Sequence, residues 1–131
     1  MKKQILSLSL AIFLAGSTTT VWAQKERSEI DEQYKWNVYD LYSSEQAWNQ
    51  SLAELVKRSE QVTSFKGTIG QSAQNLLKYL QFSDEMMKEA SRLSLFASLK
   101  ADADVRDAEN QSRQKEVRQF FVEYGQKASF V

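Results

Sequence analysis

A polypeptide of 131 residues with no proline and only four glycines contains almost nothing to interrupt a helix. Proline removes an intrahelical donor, and glycine spends more backbone entropy in a helix than any ordinary residue. Their scarcity predicts long, unbroken helices. Cysteine and histidine are also absent. Without cysteine neither a disulfide framework nor a thiolate metal site can form. Without histidine the commonest general base and the commonest zinc ligand are both missing.

Residues 1–23 read as an export signal. Lys2 and Lys3 form a positive start, Ile5 to Gly16 is a short apolar stretch, and Val21-Trp22-Ala23 offers small residues for cleavage after Ala23. A stretch from 5 to 16, at about 1.5 Å per residue, falls well short of the ~30 Å hydrocarbon core. No stable membrane anchor is expected, and the mature chain would be exported, periplasmic or extracellular, from Gln24. Setting Lys2 and Lys3 aside leaves 15 basic against 17 acidic residues, a net charge of −2. Nothing there supplies the clustered basic surface that nucleic acid requires.

Along residues 24–131, Gln24 to Glu32 is a polar lead-in. Tyr34 to Tyr42 (YKWNVYDLY) alternates aromatic with polar and is expected to be an extended strap whose rings pack against a larger body. Lys35 is the only basic residue among the rings, fewer than a nucleotide-stacking platform would need. Ser43, followed by Gln46, predicts the first helix cap. Trp48, Leu52, Leu55, Ser59 and Val62 then form one face, with Gly67 as a stop. Ser72 predicts the second cap, with Leu76, Leu77, Leu80, Met87, Ala90, Leu93 and Ala97 as the core face of a helix reaching about Leu99. The segment 101–109 (ADADVRDAE) is read as a break, with Asp104 or Asp107 capping a third helix. That helix turns apolar at Val117, Phe120, Phe121, Tyr124 and Ala128. The expected fold is therefore all-α, three long antiparallel helices behind an aromatic strap.

Chemistry-bearing patterns are missing. Asp102, Asp104 and Asp107 lack the glycine and the closing glutamate of a calcium loop. Asp84 with Glu85 and Asp102 with Asp104 read as solvated surface carboxylates. There is no phosphate-cradling glycine loop and no paired nucleophile and base. No catalytic, cofactor-binding or metal residue is assigned in this chain. The apolar face of the third helix still runs at Phe130-Val131, which is expected of a chain whose terminal stripe meets further polypeptide.

The order of features resembles the opening of the oligoendopeptidase F family, grouped with the thimet-type zinc oligopeptidases. The resemblance rests on Tyr34-Lys35-Trp36-Asn37-Val38-Tyr39-Asp40-Leu41-Tyr42 followed by Ser43-Ser44-Glu45-Gln46-Ala47-Trp48. It continues through Phe65-Lys66-Gly67, Ser72 with Leu76-Leu77, and Phe96-Ala97-Ser98-Leu99-Lys100-Ala101-Asp102-Ala103-Asp104-Val105-Arg106-Asp107. It covers about residues 29–131. Ser43 stands where the family often carries proline, and an export signal is not typical of it.

The resemblance implies a mostly helical zinc peptidase that hydrolyses short peptides in an internal channel. Its metal is bound by an HExxH helix and a downstream glutamate, none of them present here. Residues 24–131 would be an N-terminal helical segment that walls the channel. Its partners would be the missing C-terminal catalytic region and, in the full-length enzyme, short peptides. The competing reading is a stand-alone secreted helical adaptor or holdase.

Overall fold

The computed structural model describes residues 27–131; the expected export signal, with its expected cleavage after Ala23, lies outside them. The architecture is all-α, with no strand among the described residues. Residues 27–35, the described part of one compact unit, form two short 3-10 turns, Arg27–Glu29 and Glu32–Tyr34. Asp31 caps the second through the Gln33 amide, and Lys35 pairs with Glu32 at 2.6 Å.

Residues 36–131 make the second unit, built from three helices: α1 (Glu45–Ser59), α2 (Ala73–Ala103) and α3 (Ala108–Lys127). Each begins at a side-chain cap. Ser44 Oγ accepts from the Ala47 amide, Ser72 Oγ from Asn75, and Asp107 from Glu109 and Asn110. The first cap is Ser44, one residue beyond the expected Ser43, because Ser44 holds the extended backbone that an N-cap needs. α2 runs on to Ala103 rather than stopping near Leu99. Its break is confined to a turn in which Asp104 accepts from the Arg106 amide, leaving Asp107 free to cap α3.

After Ser59, α1 tightens into a 3-10 segment, Glu60–Phe65, and Gly67 takes the left-handed conformation (φ +74°) that turns the chain towards α2. Cross-links set the directions. Trp48 at the start of α1 reaches Leu93 late in α2, whereas Arg113 and Lys127 of α3 reach Glu45 and Glu60 in the same order as α1. α1 and α3 are thus parallel to each other and antiparallel to α2.

The core joins Trp48, Leu55 and Val62 with Met86, Leu93, Phe96, Val117 and Phe120, all nearly or fully buried. The first-helix face agrees with expectation. Three others differ. On α2 the buried residues are Tyr79, Met86, Ala90, Leu93, Phe96, Ala97 and Ala101, so the expected Ala90, Leu93 and Ala97 are in the core while Leu76, Leu77, Leu80 and Met87 lie exposed. The ring of Phe65 decides this: it meets Tyr79 at 5.6 Å and Phe82 at 5.3 Å, turning that side of α2 inward. The strap is not extended. Asn37 caps a 3-10 turn, Val38–Asp40, which brings Val38, Leu41 and Tyr42 onto the core. Tyr42 meets Phe96 edge-on at 5.6 Å, while Trp36 stays 80% exposed. Finally, Val117, Phe120 and Tyr124 of α3 are buried within this unit, and Phe130 packs against the same core.

Candidate functional site

Two polar constellations lie among the helices, and both were invisible to periodicity. The first centres on Glu89, on α2. Its Oε1 accepts from the Tyr42 hydroxyl at 2.5 Å and from Ser51 Oγ at 2.6 Å. Arg92, one turn on, stands 4.5 Å over the Tyr42 ring and donates to the Leu41 carbonyl. Burial pushes the Glu89 carboxyl up, but the Ser51 and Tyr42 hydrogen bonds and the Arg92 charge outweigh it, leaving the group below the ordinary carboxylate range. Burial, then the hydrogen bond to Glu89, push the Tyr42 phenol well above its usual value. Glu89 therefore stays ionised and Tyr42 stays protonated near neutrality. Neither is poised to exchange a proton, and the group ties residues 41–51 to α2.

The second constellation gathers around Arg113, whose side chain is only 4% exposed. It contacts Glu45 at 3.1 Å, Asn110 Oδ1 at 2.7 Å, and Glu109. Lys100 from the end of α2 reaches the same Glu45 at 2.9 Å and the Tyr39 hydroxyl at 3.2 Å. The Lys100 hydrogen bond holds Glu45 below the carboxylate range against its own desolvation, with Arg113 assisting. For Lys100, burial pushes down and the bonds to Glu45 and Tyr39 push up more strongly, so its ammonium is stabilised. Every charge has an opposite partner, and the cluster locks together the start of α1, the end of α2 and the start of α3.

The carboxylates noted in the sequence are not brought together. Glu85 pairs with Arg58 across the α1–α2 boundary. Asp104 is held low by the side chain and backbone of Arg106, and Asp107 is consumed in capping. Among the described residues no three acidic side chains lie close enough to share a metal ion. An open groove between α1 and α3, lined by Leu52, Ala53, Val56, Glu109 and Glu116, contains one hydroxyl–carboxylate contact, Ser112 Oγ donating to Glu116 at 3.2 Å, an exposed pair one turn apart on α3. What this unit presents is a scaffold with structural ion clusters and one exposed apolar face on α2.

Glu89 and Arg113 could not have been singled out from the sequence. Their partners lie 38 to 68 positions away for Ser51, Tyr42 and Glu45, and no local pattern connects them.

No protein-family model matches the chain, and no solved structure does. Among curated proteins, the chain is 30% identical over 107 residues to the chromosomal oligoendopeptidase F of Lactococcus lactis subsp. cremoris, a stretch that covers 81% of this chain and 18% of that protein. It is 24% identical over 104 residues to the group B oligopeptidase PepB of Streptococcus agalactiae, covering 79% and 17%. It is 28% identical over 79 residues to the oligopeptidase PepF of Bacillus subtilis, covering 60% and 12%. The chain thus spans less than a fifth of the length of these curated relatives.

Proposed function

This chain belongs to the oligoendopeptidase F family, and we propose on that premise that it is the N-terminal helical portion of an exported zinc oligoendopeptidase hydrolysing short peptides. The observation that carries the reading is the 30% identity to the Lactococcus enzyme across 81% of this chain. Zinc in such an enzyme supplies a Lewis acid and an activated water. The residues present do not fit that role. The chain has no histidine or cysteine, and no acidic trio gathers among the described residues. In this reading the metal ligands lie outside these residues, and no catalytic step is assigned here.

In this reading the three helices wall the substrate channel. Their contribution is shape: α1, α2 and α3 are held rigid by a shared core and by the Glu89 and Arg113 clusters, as a wall that excludes folded proteins must be. Residues 1–23 act as the export signal, so protein secreted by a bacterial host should have the intact mass of a chain starting at Gln24; a retained leader refutes export by this route.

The test of the peptidase reading is a chimera in which residues 24–131 replace the matching stretch of the Lactococcus enzyme. It should hydrolyse quenched-fluorescent peptides in a chelator-sensitive way, while an unrelated helical insert of equal length should not. A chimera that folds but cleaves nothing refutes the reading and favours a stand-alone adaptor.

A further inference from the structure

Leu76, Leu77, Leu80 and Met87 are each between 40% and 51% exposed, on a helix whose core face lies elsewhere. Leu76, Leu80 and Met87 stand at i, i+4 and i+11, on one stripe, with Leu77 at its border. Further along α2 the stripe continues as Ser91, Ser94 and Ser98, small side chains that let another backbone approach closely. Asp84 and Lys88 stand along one edge and give the strip a charged rim. A single exposed leucine needs no explanation; an apolar strip running three turns along one helix does.

We infer that this strip is the docking face for the downstream catalytic region of the proposed oligoendopeptidase, an inference that rests on that reading. The matched stretch makes up only 17–18% of the Lactococcus and Streptococcus proteins, so in such an enzyme most of the polypeptide lies outside these helices. That larger body must be packed against the helices somewhere if they are to wall a channel. The strip offers apolar area for such a contact, and its serine half lets a second helix come close. Of the two other faces expected to serve, the stripe of α3 buries Val117, Phe120 and Tyr124 in this unit's own core, and the strap buries Tyr42 there while leaving Trp36 as a lone exposed ring rather than a stripe.

Other occupants fit less well. In an antiparallel pairing of two copies that sets Leu77 against Met87, Asp84 falls against Leu80 and Lys88 against Leu76, which sets a charge opposite a leucine at both positions and desolvates it. A short peptide in extended form meets a convex helix surface there rather than a cleft.

The chain has no cysteine, so single thiols at Leu80 (L80C) and at the exposed Val122 of α3 (V122C) report on one position each. Maleimide labelling of that peptide, followed by mass spectrometry, is compared between the isolated chain and the chimera described above. The expected result is labelling at least about tenfold slower at position 80 in the chimera, with position 122 unchanged. Equal rates at position 80 in the two proteins, in a chimera that still cleaves peptides, overturn the docking face while leaving the peptidase reading intact. Equal protection at both positions overturns its assignment to this face. Protection in the isolated chain that grows with its own concentration names a second copy as the occupant, and protection on adding short peptides names substrate; either overturns the inference. A folded but inactive chimera refutes the peptidase reading and this inference with it. As a second variant, L80E with M87E should lower the thermal midpoint and activity of the chimera yet leave the helicity of the isolated chain unchanged. Unaltered chimera behaviour counts against the inference.

Discussion

The indole Nε1 of Trp48 donates to the backbone carbonyl of Leu93 at 3.0 Å, joining the first turn of α1 to the second half of α2. The Trp48 ring is fully buried and stacks near Phe96, 6.4 Å between centroids. Trp48→Phe keeps most of the apolar contact and loses the bond, and should destabilise by about 1–2 kcal/mol. Trp48→Ala adds a cavity and should cost about 3–5 kcal/mol, most of the stability of a domain this small. Urea midpoints decide the matter. A Phe variant as stable as the parent would show that the bond contributes nothing net.

Arg113 is expected to be more sensitive than either of its acidic partners. Arg113→Ala leaves Glu45 with Lys100 alone and the buried Asn110 without its Arg113 donor, a change of about 1–3 kcal/mol. Glu109→Ala should cost less than about 1 kcal/mol, because Glu109 is 72% exposed and Arg113 keeps Glu45 and Asn110. A double-mutant cycle between positions 45 and 113 measures the coupling directly, and a coupling near zero would refute the cluster's role as a lock.

Tyr124 gives a prediction of the opposite sign. Its hydroxyl is buried without a hydrogen-bond partner; Ser83 is close enough to influence the phenol but stands outside bonding geometry. Burial leaves the phenol harder to ionise than usual. Tyr124→Phe removes the unsatisfied group while keeping the stack on Phe120 at 5.8 Å. The variant should match or exceed the parent by about 1 kcal/mol. Clear destabilisation in thermal melts would mean that the hydroxyl has a partner after all.

Stability should fall on both sides of neutrality. Glu45 and Glu89 sit below the ordinary carboxyl value of 4.5 when folded, so the unfolded chain takes up protons more readily and acid favours unfolding. Their contribution is present above about pH 5 and is lost as pH drops through the folded values. Tyr42 and Lys100 are raised, so theirs is present below about pH 10 and is lost as alkali removes those protons. Urea midpoints against pH should form a plateau with two falling limbs. Glu89→Gln should flatten part of the acid limb and leave the Lys100 share of the alkaline limb in place; an unchanged acid limb would refute the assignment.

The helices and their caps were largely legible from residue order, because Ser72, Asp107 and the spacing Trp48–Leu55–Ser59–Val62 act within a few turns of themselves. On α2 the C-terminal half of the face, Ala90, Leu93 and Ala97, is legible, but the N-terminal half carries two apolar stripes. Leu76–Leu80–Met87 and Tyr79–Met86 both recur with helical spacing, and the Phe65 ring, which packs on Tyr79, selects between them. Asn110 and Arg113 read as the polar start of α3. Their burial depends on Glu45 and Lys100 arriving from elsewhere in the chain. The family was legible because ordered local segments preserve what long-range contacts demand, even where those contacts cannot be seen.

Lys127, in the last turn of α3, bonds to Glu60 at 2.7 Å and lies 3.4 Å from the buried Ser59, 68 positions earlier. During synthesis α1 therefore leaves the ribosome with Trp48 uncovered. It gains Leu93 only some 45 residues later, and the clamp on its C-terminal end only after nearly the whole of α3 has emerged. At a growth rate of roughly 5–20 residues per second this unit spends several seconds as an open hairpin. That interval is a window in which a chaperone can hold the chain before it closes.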